Sequence, residues 1–147
     1  MGVTQQILVV DDNVELTSLL SLALNRYGYV VTVENRSEYA FDLIRRTRPS
    51  LVLLDVMMPV VDGGMILSAI RNDIHLRFLP VILMTGLGAA AEGLCCTGGV
   101  ETPIIAKPVA LKSLIQLIEQ VLHTSYAERL PQNVGGRGGS GGGQPTF

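Results

Sequence analysis

The sequence contains few residues that could form disulfides or bind a structural metal. Its 147 residues include two cysteines, two histidines and no tryptophan. Because Cys95 and Cys96 are adjacent and no second Cys/His pair accompanies them, they form neither a disulfide framework nor a structural zinc site. No apolar run approaches the ~20 residues of a membrane helix, and the N-terminus lacks the basic and apolar regions of a signal peptide. We therefore expect a cytoplasmic protein with reduced thiols and no membrane partner.

Charge and glycine motifs exclude further classes of function. The formal net charge is −2, which argues against nucleic acid or an anionic membrane as an obligate partner. The glycines form no Gly-x-x-x-x-Gly-Lys-Ser/Thr loop, so a P-loop nucleotide site is absent. His75 and His123 follow no apolar run, and we interpret both as surface residues.

What the sequence does contain is a set of short apolar runs that end in polar residues. Residues 7–10 precede Asp11 and Asp12, residues 51–54 precede Asp55, residues 81–84 precede Thr85, and residues 104–106 precede Lys107. Unbroken apolar runs of this length are typical of strands buried on both faces of a parallel sheet. Their polar ends would then meet at one edge, where open α/β sheets bind ligands.

Helical periodicity between the runs completes a pattern of five strand–helix repeats. A β-branched strand is predicted at residues 29–33. Helices are predicted at 13–27, with residues 16, 19, 20, 23 and 27 as its apolar stripe, at 35–47 behind an Asn35/Glu38 capping box, at 65–72 and at 111–123. We predict an α/β fold, a doubly wound, flavodoxin-like parallel sheet of order 2-1-3-4-5 between two helical layers.

Two glycine-containing stretches depart from this pattern. Residues 86–99 are rich in glycine and alanine, which favours only a short or frayed helix there. Residues 135–143 contain seven glycines in nine positions and no apolar side chain, so they cannot offset the entropy of ordering. We therefore divide the chain into a domain at residues 1–124 and a flexible tail or linker remnant at 125–147.

The polar residues at the strand ends have the chemistry of a phosphoryl-transfer site. Asp55 is our candidate nucleophile, since carboxylates form acyl phosphates. Asp11 and Asp12 supply the oxygen ligands that Mg²⁺ prefers. Lys107 is suited to pair first with these carboxylates and then with phosphoryl oxygens, and Thr85 to bind one of those oxygens. The simpler interpretation, a helix cap beside a solvated turn, is less favoured because five such residues recur at strand ends.

These residues closely resemble the receiver domain of two-component response regulators. The resemblance covers about residues 5–124. Its motifs, in order, are Ile7-Leu8-Val9-Val10-Asp11-Asp12, Leu53-Leu54-Asp55-Val56-Met57-Met58-Pro59, Asp62-Gly63, Met84-Thr85-Gly86 and Lys107-Pro108. The ordered set is specific, although no single motif is.

The resemblance implies a mechanism and partners. It implies phosphorylation of Asp55 by a sensor histidine kinase or a histidine phosphotransfer protein, followed by a change in binding to a downstream protein. Asp11, Asp12, Asp55 and the backbone carbonyl of Met57 match the family's Mg²⁺ site, and Thr85 and Lys107 match its phosphoryl-sensing residues. On this basis the protein is no enzyme beyond its own aspartyl phosphorylation and dephosphorylation. The Lys107–Pro108 bond is expected to be cis.

Other features depart from the family pattern or leave alternatives. Ile104 stands where the family's switch is usually aromatic. Met57 and Leu87 occupy the positions that orient the hydrolytic water, so we predict a long-lived phosphorylated state. The first helix, through Val14 and Leu22 among others, is predicted to dock the donor.

Two other functions stay open. One is a phosphorylation-independent interaction module with the same fold. The other, less favoured, is a flavin enzyme, because Asp11 and Asp12 would repel a flavin phosphate.

Overall fold

Five parallel strands form one sheet in the computed structural model, which describes residues 4–86 and 97–129. The strands are β1 (Gln6–Val10), β2 (Val30–Glu34), β3 (Leu51–Asp55), β4 (Val81–Thr85) and β5 (Ile104–Ala106). The helices are α1 (Val14–Arg26), α2 (Ser37–Thr47), α3 (Gly63–Asn72) and α4 (Leu111–Arg129), with a 3₁₀ turn at Thr97–Gly99. The strand order β2-β1-β3-β4-β5 confirms the predicted fold.

The core lies on both faces of the sheet. Alternate residues of each central strand point to opposite faces. Leu8, Val52 and Leu54 pack with the buried residues of α2 and α3. Ile7, Val9 and Leu53 instead pack with those of α1 and α4. All five residues of β3 and of β4 are buried, which explains why the four residues before Asp55 and before Thr85 are all apolar.

Several predicted boundaries and contacts differ from the structure. The strand predicted at 29–33 is Val30–Glu34, α3 begins at Gly63 behind the N-cap Asp62, and α4 continues past His123 to Arg129. The predicted stripe of α1 is partly wrong, since Leu19 and Tyr27 are exposed. The buried residues of α1 are Thr17, Leu20 and Leu24, because only one narrow face of this helix meets the sheet.

The predicted Asn35/Glu38 capping box is also wrong. The N-cap of α2 is Arg36, which makes no side-chain cap hydrogen bond. The side-chain amide of Asn35 instead lies at the end of β1, where its Nδ2 donates to the Asp11 carbonyl at 2.8 Å and to Thr17 Oγ1 at 2.9 Å. Glu38 forms an ion pair with Arg36. Tertiary contacts therefore replace the local cap.

Some predictions lie outside the described residues. These are residues 87–96 of the stretch at 86–99 predicted to form a short or frayed helix, which include Leu87, Cys95 and Cys96, and the glycine-rich stretch of the tail. Residues 97–99 form the 3₁₀ turn. Within the part that the structure describes, no helix is both long and apolar enough to cross a bilayer. His75 and His123 are both exposed, in agreement with the prediction that they are surface residues.

Candidate phosphoryl-transfer site

Asp11, the first residue of the acidic pair after β1, is held by the backbone that follows it. Asp11 is fully buried, and its Oδ1 accepts a hydrogen bond from the Asn13 amide at 2.9 Å. The cap of α1 is Asn13, whose side chain accepts from the Leu16 amide at 3.0 Å. Because Asn13 supplies that cap, the carboxylates of Asp11 and Asp12 are not needed for it. Asp12 is exposed at the mouth of the site.

The end of β3 brings the third carboxylate to the same place. Asp55 is buried, and its Oδ1 lies 3.4 Å from the Met57 amide. Since β1 and β3 are neighbours in register, Asp11, Asp12 and Asp55 each offer one oxygen, and these oxygens lie within 4.8 Å of one another. The structure thus assembles residues that are far apart in sequence, as the strand order predicts.

Lys107 connects two of these carboxylates. Its Nζ lies 2.7 Å from Asp11 Oδ2 and 3.1 Å from Asp55 Oδ1. The backbone of this residue is fixed by its own amide, which donates to the Thr85 carbonyl at 2.8 Å. The Lys107–Pro108 peptide is cis, as predicted. An ammonium group between two buried carboxylates neutralises part of their charge.

The pKa values reflect this crowding. Burial, and then the charge of Asp11, raise the pKa of Asp55 from 3.8 to about 6, although the hydrogen bond and charge of Lys107 act in the opposite direction. Burial lowers the pKa of Lys107, but its hydrogen bonds to Asp11 and Asp55 outweigh burial, so that its pKa is raised. The site therefore concentrates negative charge that the Lys107 ammonium offsets only in part.

The other predicted residues lie around this cluster. Thr85 ends β4 and is buried, next to Met84, which pairs in register with Asp55. The Met57 side chain is exposed, on the loop that leaves Asp55. Ile104, at the position that is usually aromatic in receiver domains, is partly buried against the core between the sheet and α2–α3.

Two contacts beside the site were not predicted from the sequence. Asn35 supports the Asp11 carbonyl, and the hydroxyl of the buried Ser37 contacts the loop that follows Asp55. Both residues stand near a helix start, where Asn and Ser are usually read as caps. No local pattern signals their use by a neighbouring loop.

The residues present fit a hard divalent cation. All the available side-chain donors of the cluster are carboxylate oxygens, and two of the three carboxylates are buried. Mg²⁺ is bound through oxygen ligands, commonly one or two carboxylates together with waters. The exposed position of Asp12 leaves one side of the cluster open to such waters.

Known proteins with this sequence pattern identify the family. The model of the response regulator receiver domain matches residues 7–119. A Porphyra purpurea protein named "Probable transcriptional regulator ycf27" is 32% identical over 131 residues, covering 89% of this chain and 52% of that protein. The Synechocystis "DNA-binding dual master transcriptional regulator RpaA" is 26% identical over 127 residues, with 86% and 52% covered. This chain spans about half the length of these curated relatives.

A solved structure shows the same fold. The CheY-like response regulator receiver domain protein of Methanospirillum hungatei superposes with a TM-score of 0.78 at 22% identity, covering 86% of this chain and 99% of that one. At this identity the likeness concerns the fold alone. The family match over residues 7–119, which is most of the chain, shows that this chain belongs to the receiver domains of two-component response regulators.

Proposed function

We propose that this chain accepts a phosphoryl group on Asp55 from a phosphohistidine and thereby changes its binding to a downstream protein. The observation that carries the proposal is the buried Asp55 carboxylate, which lies 3.1 Å from Lys107 and within 4.8 Å of two further carboxylates. A solvated turn residue would have neither this burial nor these neighbours. With a pKa raised only to about 6, Asp55 is mainly ionised at neutral pH and available as a nucleophile.

The transfer is a displacement at phosphorus. One carboxylate oxygen of Asp55 forms the new P–O bond while the P–N bond of the donor phosphohistidine breaks, and the bonding electron pair returns to the imidazole. Negative charge on the phosphoryl oxygens meets the Lys107 ammonium, which already lies beside Asp55. Thr85, at the end of the neighbouring strand, is placed to donate to one of those oxygens.

Mg²⁺ is the cofactor that we propose for this step. Asp11, Asp12, Asp55 and the Met57 carbonyl would hold it. When bound, it neutralises the phosphoryl oxygens and the carboxylate cluster during attack. The residues themselves keep Asp55 oriented, through the Met57 amide and Lys107, and bury it from bulk water.

The proposed partners follow from the same chemistry. The donor is a sensor histidine kinase or a histidine phosphotransfer protein, and the chain is no enzyme beyond its own phosphorylation and dephosphorylation. We propose no nucleic-acid contact for the residues described here and a cytoplasmic location. The relative RpaA is named as DNA-binding, and this chain covers only 52% of its length.

A phosphorylation assay tests the proposal. The full chain is incubated with acetyl phosphate, with or without Mg²⁺, and its intact mass is measured. We expect one added phosphoryl group in the wild type with Mg²⁺ and none in Asp55→Asn. Asp42→Asn, an exposed aspartate on α2, is the matched control and should react like the wild type. A folded wild type that gains no phosphate would instead favour the phosphorylation-independent interaction module.

A further inference from the structure

The loop between β3 and α3 contains a strained turn. The Val61 amide donates to the Pro59 carbonyl at 2.9 Å, and Val60 between them has φ 71°. This combination is the pattern of a classic γ-turn, which is rare and strained. A positive φ is especially unfavourable for a β-branched residue. The Val60 side chain is 79% exposed, so its own packing does not hold it in this conformation.

The hydroxyl of Ser37 bonds to both groups that close this turn. It donates to the Pro59 carbonyl and accepts from the Val61 amide at 3.1 Å. Ser37 is the first residue of α2 and is only 4% exposed. Its hydroxyl therefore bonds to a loop in another part of the chain and not to the backbone of its own helix.

The C-terminal end of the same loop is fixed in position. The Gly63 amide donates to the Val56 carbonyl at 2.8 Å. Even a Cβ atom at Gly63 would overlap the carbonyl oxygen of Asp55. If the turn at Val60 shifted, the backbone of residues 57–59 would have to move with it. The Met57 carbonyl belongs to that stretch.

We infer that Ser37 is a positioning residue for the phosphoryl-transfer site. Its hydroxyl holds the strained turn at Val60 and so fixes the backbone of Met57 relative to Asp55. The metal-dependent part of this inference rests on the proposed function, in which the Met57 carbonyl is a Mg²⁺ ligand. The hold on the turn itself is a property of the metal-free protein.

The first test compares Ser37→Ala with Ser68→Ala, a matched control at an exposed position of α3. Calorimetric titration of the full chain with MgCl₂ is done at a temperature where each variant is fully folded. We expect Ser37→Ala to raise the Kd for Mg²⁺ by about tenfold, as for other groups that orient metal ligands, and Ser68→Ala to leave it unchanged. A Ser37→Ala protein that is less stable but has the wild-type Kd would reduce Ser37 to a structural role and overturn the inference.

The second test uses Val60→Gly as a rescue. Glycine adopts positive φ without steric cost, so the turn should then need less support. Glycine at position 60 removes most of the backbone strain that the Ser37 hydroxyl restrains. In the Val60→Gly background, Ser37→Ala should therefore raise the Kd for Mg²⁺ by no more than about twofold. An equal effect of Ser37→Ala in both backgrounds would show that the strain at Val60 is not what Ser37 restrains.

Amide hydrogen exchange separates this inference from the proposed function. In metal-free protein, Ser37→Ala should speed exchange of the Val61 amide by about tenfold, the effect of losing one net hydrogen bond. If the wild type binds no Mg²⁺, the proposed function fails while this measurement still decides whether Ser37 holds the turn. Unchanged exchange at Val61 in the variant would show that it does not.

Discussion

At the scale of single residues, the ionised Asp55 carboxylate lowers the stability of the folded protein. Burial and the Asp11 charge raise its pKa from 3.8 to about 6 in the folded protein. A raised folded-state pKa means that the folded state holds the proton more tightly than the unfolded state. The stabilisation of the folded state by this tighter proton binding is therefore present at low pH, and it is lost as the pH rises through about 6.

Asp55→Asn should remove this pH dependence in the metal-free protein. Asparagine stays neutral, so the variant should gain stability relative to the wild type at about pH 7.5, and less at about pH 5, where the wild-type carboxyl is largely protonated. Urea unfolding in EDTA at both pH values measures the difference. Asp42→Asn, which is exposed, should show no such trend. A gain that is equal at both pH values would show that Asp55 does not titrate in this range.

At the scale of elements, a buried arginine ties α3 to the segment before β5. Arg71 is 5% exposed, and its guanidinium donates to the Arg77 and Leu79 carbonyls at 3.1 and 2.8 Å and to Thr102 Oγ1 at 3.2 Å. Burial lowers its pKa to about 10, so it remains charged at neutral pH. A Cβ atom at Gly98, where φ is 66°, would lie 2.6 Å from the Arg71 Cβ, so the 3₁₀ turn lies directly on the arginine stem.

Replacing Arg71 should loosen this junction. Lysine keeps the charge but cannot reach all three acceptors in the planar geometry of a guanidinium. We expect Arg71→Lys to lower the free energy of unfolding by about 2 to 3 kcal/mol, because buried acceptors lose their donors. Urea denaturation measures the loss. Arg77→Lys, at an exposed position in the same region, should change stability by less than about 0.5 kcal/mol. Equal effects of the two changes would contradict the proposed tie.

The same elements show what sequence patterns can predict. Apolar runs specify the strands, and polar residues at their ends specify the cluster of Asp11, Asp55 and Lys107, because parallel order alone brings strand ends together. The contacts of Asn35 and Ser37 could not be predicted from the sequence, for a physical reason. Their hydrogen bonds are made to chain segments that are distant in sequence, and helical or strand periodicity carries no information about such partners.

At the scale of the whole molecule, we predict that the phosphodonor docks on α1. Val14 is 59% exposed and Leu22 is 57% exposed, on the helix that begins directly after the acidic pair. Leu22→Glu should slow transfer from the cognate donor by about tenfold, as for a central contact residue, and leave phosphorylation by acetyl phosphate unchanged. Tyr39→Glu on α2, across the sheet, is the control. Unaltered transfer to a folded Leu22→Glu protein would exclude α1 from the contact.

The lifetime of the phosphorylated state is the second prediction at this scale. Polar side chains that orient the attacking water speed hydrolysis, and the exposed Met57 side chain offers no proton acceptor. The other relevant position, Leu87, lies outside the described residues. We expect the isolated phosphorylated protein to be long-lived and Met57→Asn to shorten its lifetime severalfold, as followed by intact mass over time. Loss of the phosphoryl group within seconds from the unmodified protein would contradict this prediction.

The length of α4 also affects where a label is best attached for measurements of donor binding and phosphorylation. Its 19 residues span about 28 Å, from Leu111, close after Lys107, to Arg129. Near the C-terminal end of α4, Thr124 lines a cavity together with Pro80, which precedes β4, and Val81, which begins it. This cavity lies at the end of the strands opposite the acidic cluster. A fluorophore attached at position 124, whose side chain is exposed, would therefore stand at the end of the strands opposite the proposed phosphoryl-transfer site. Surface-capture and single-molecule assays are best oriented from that end.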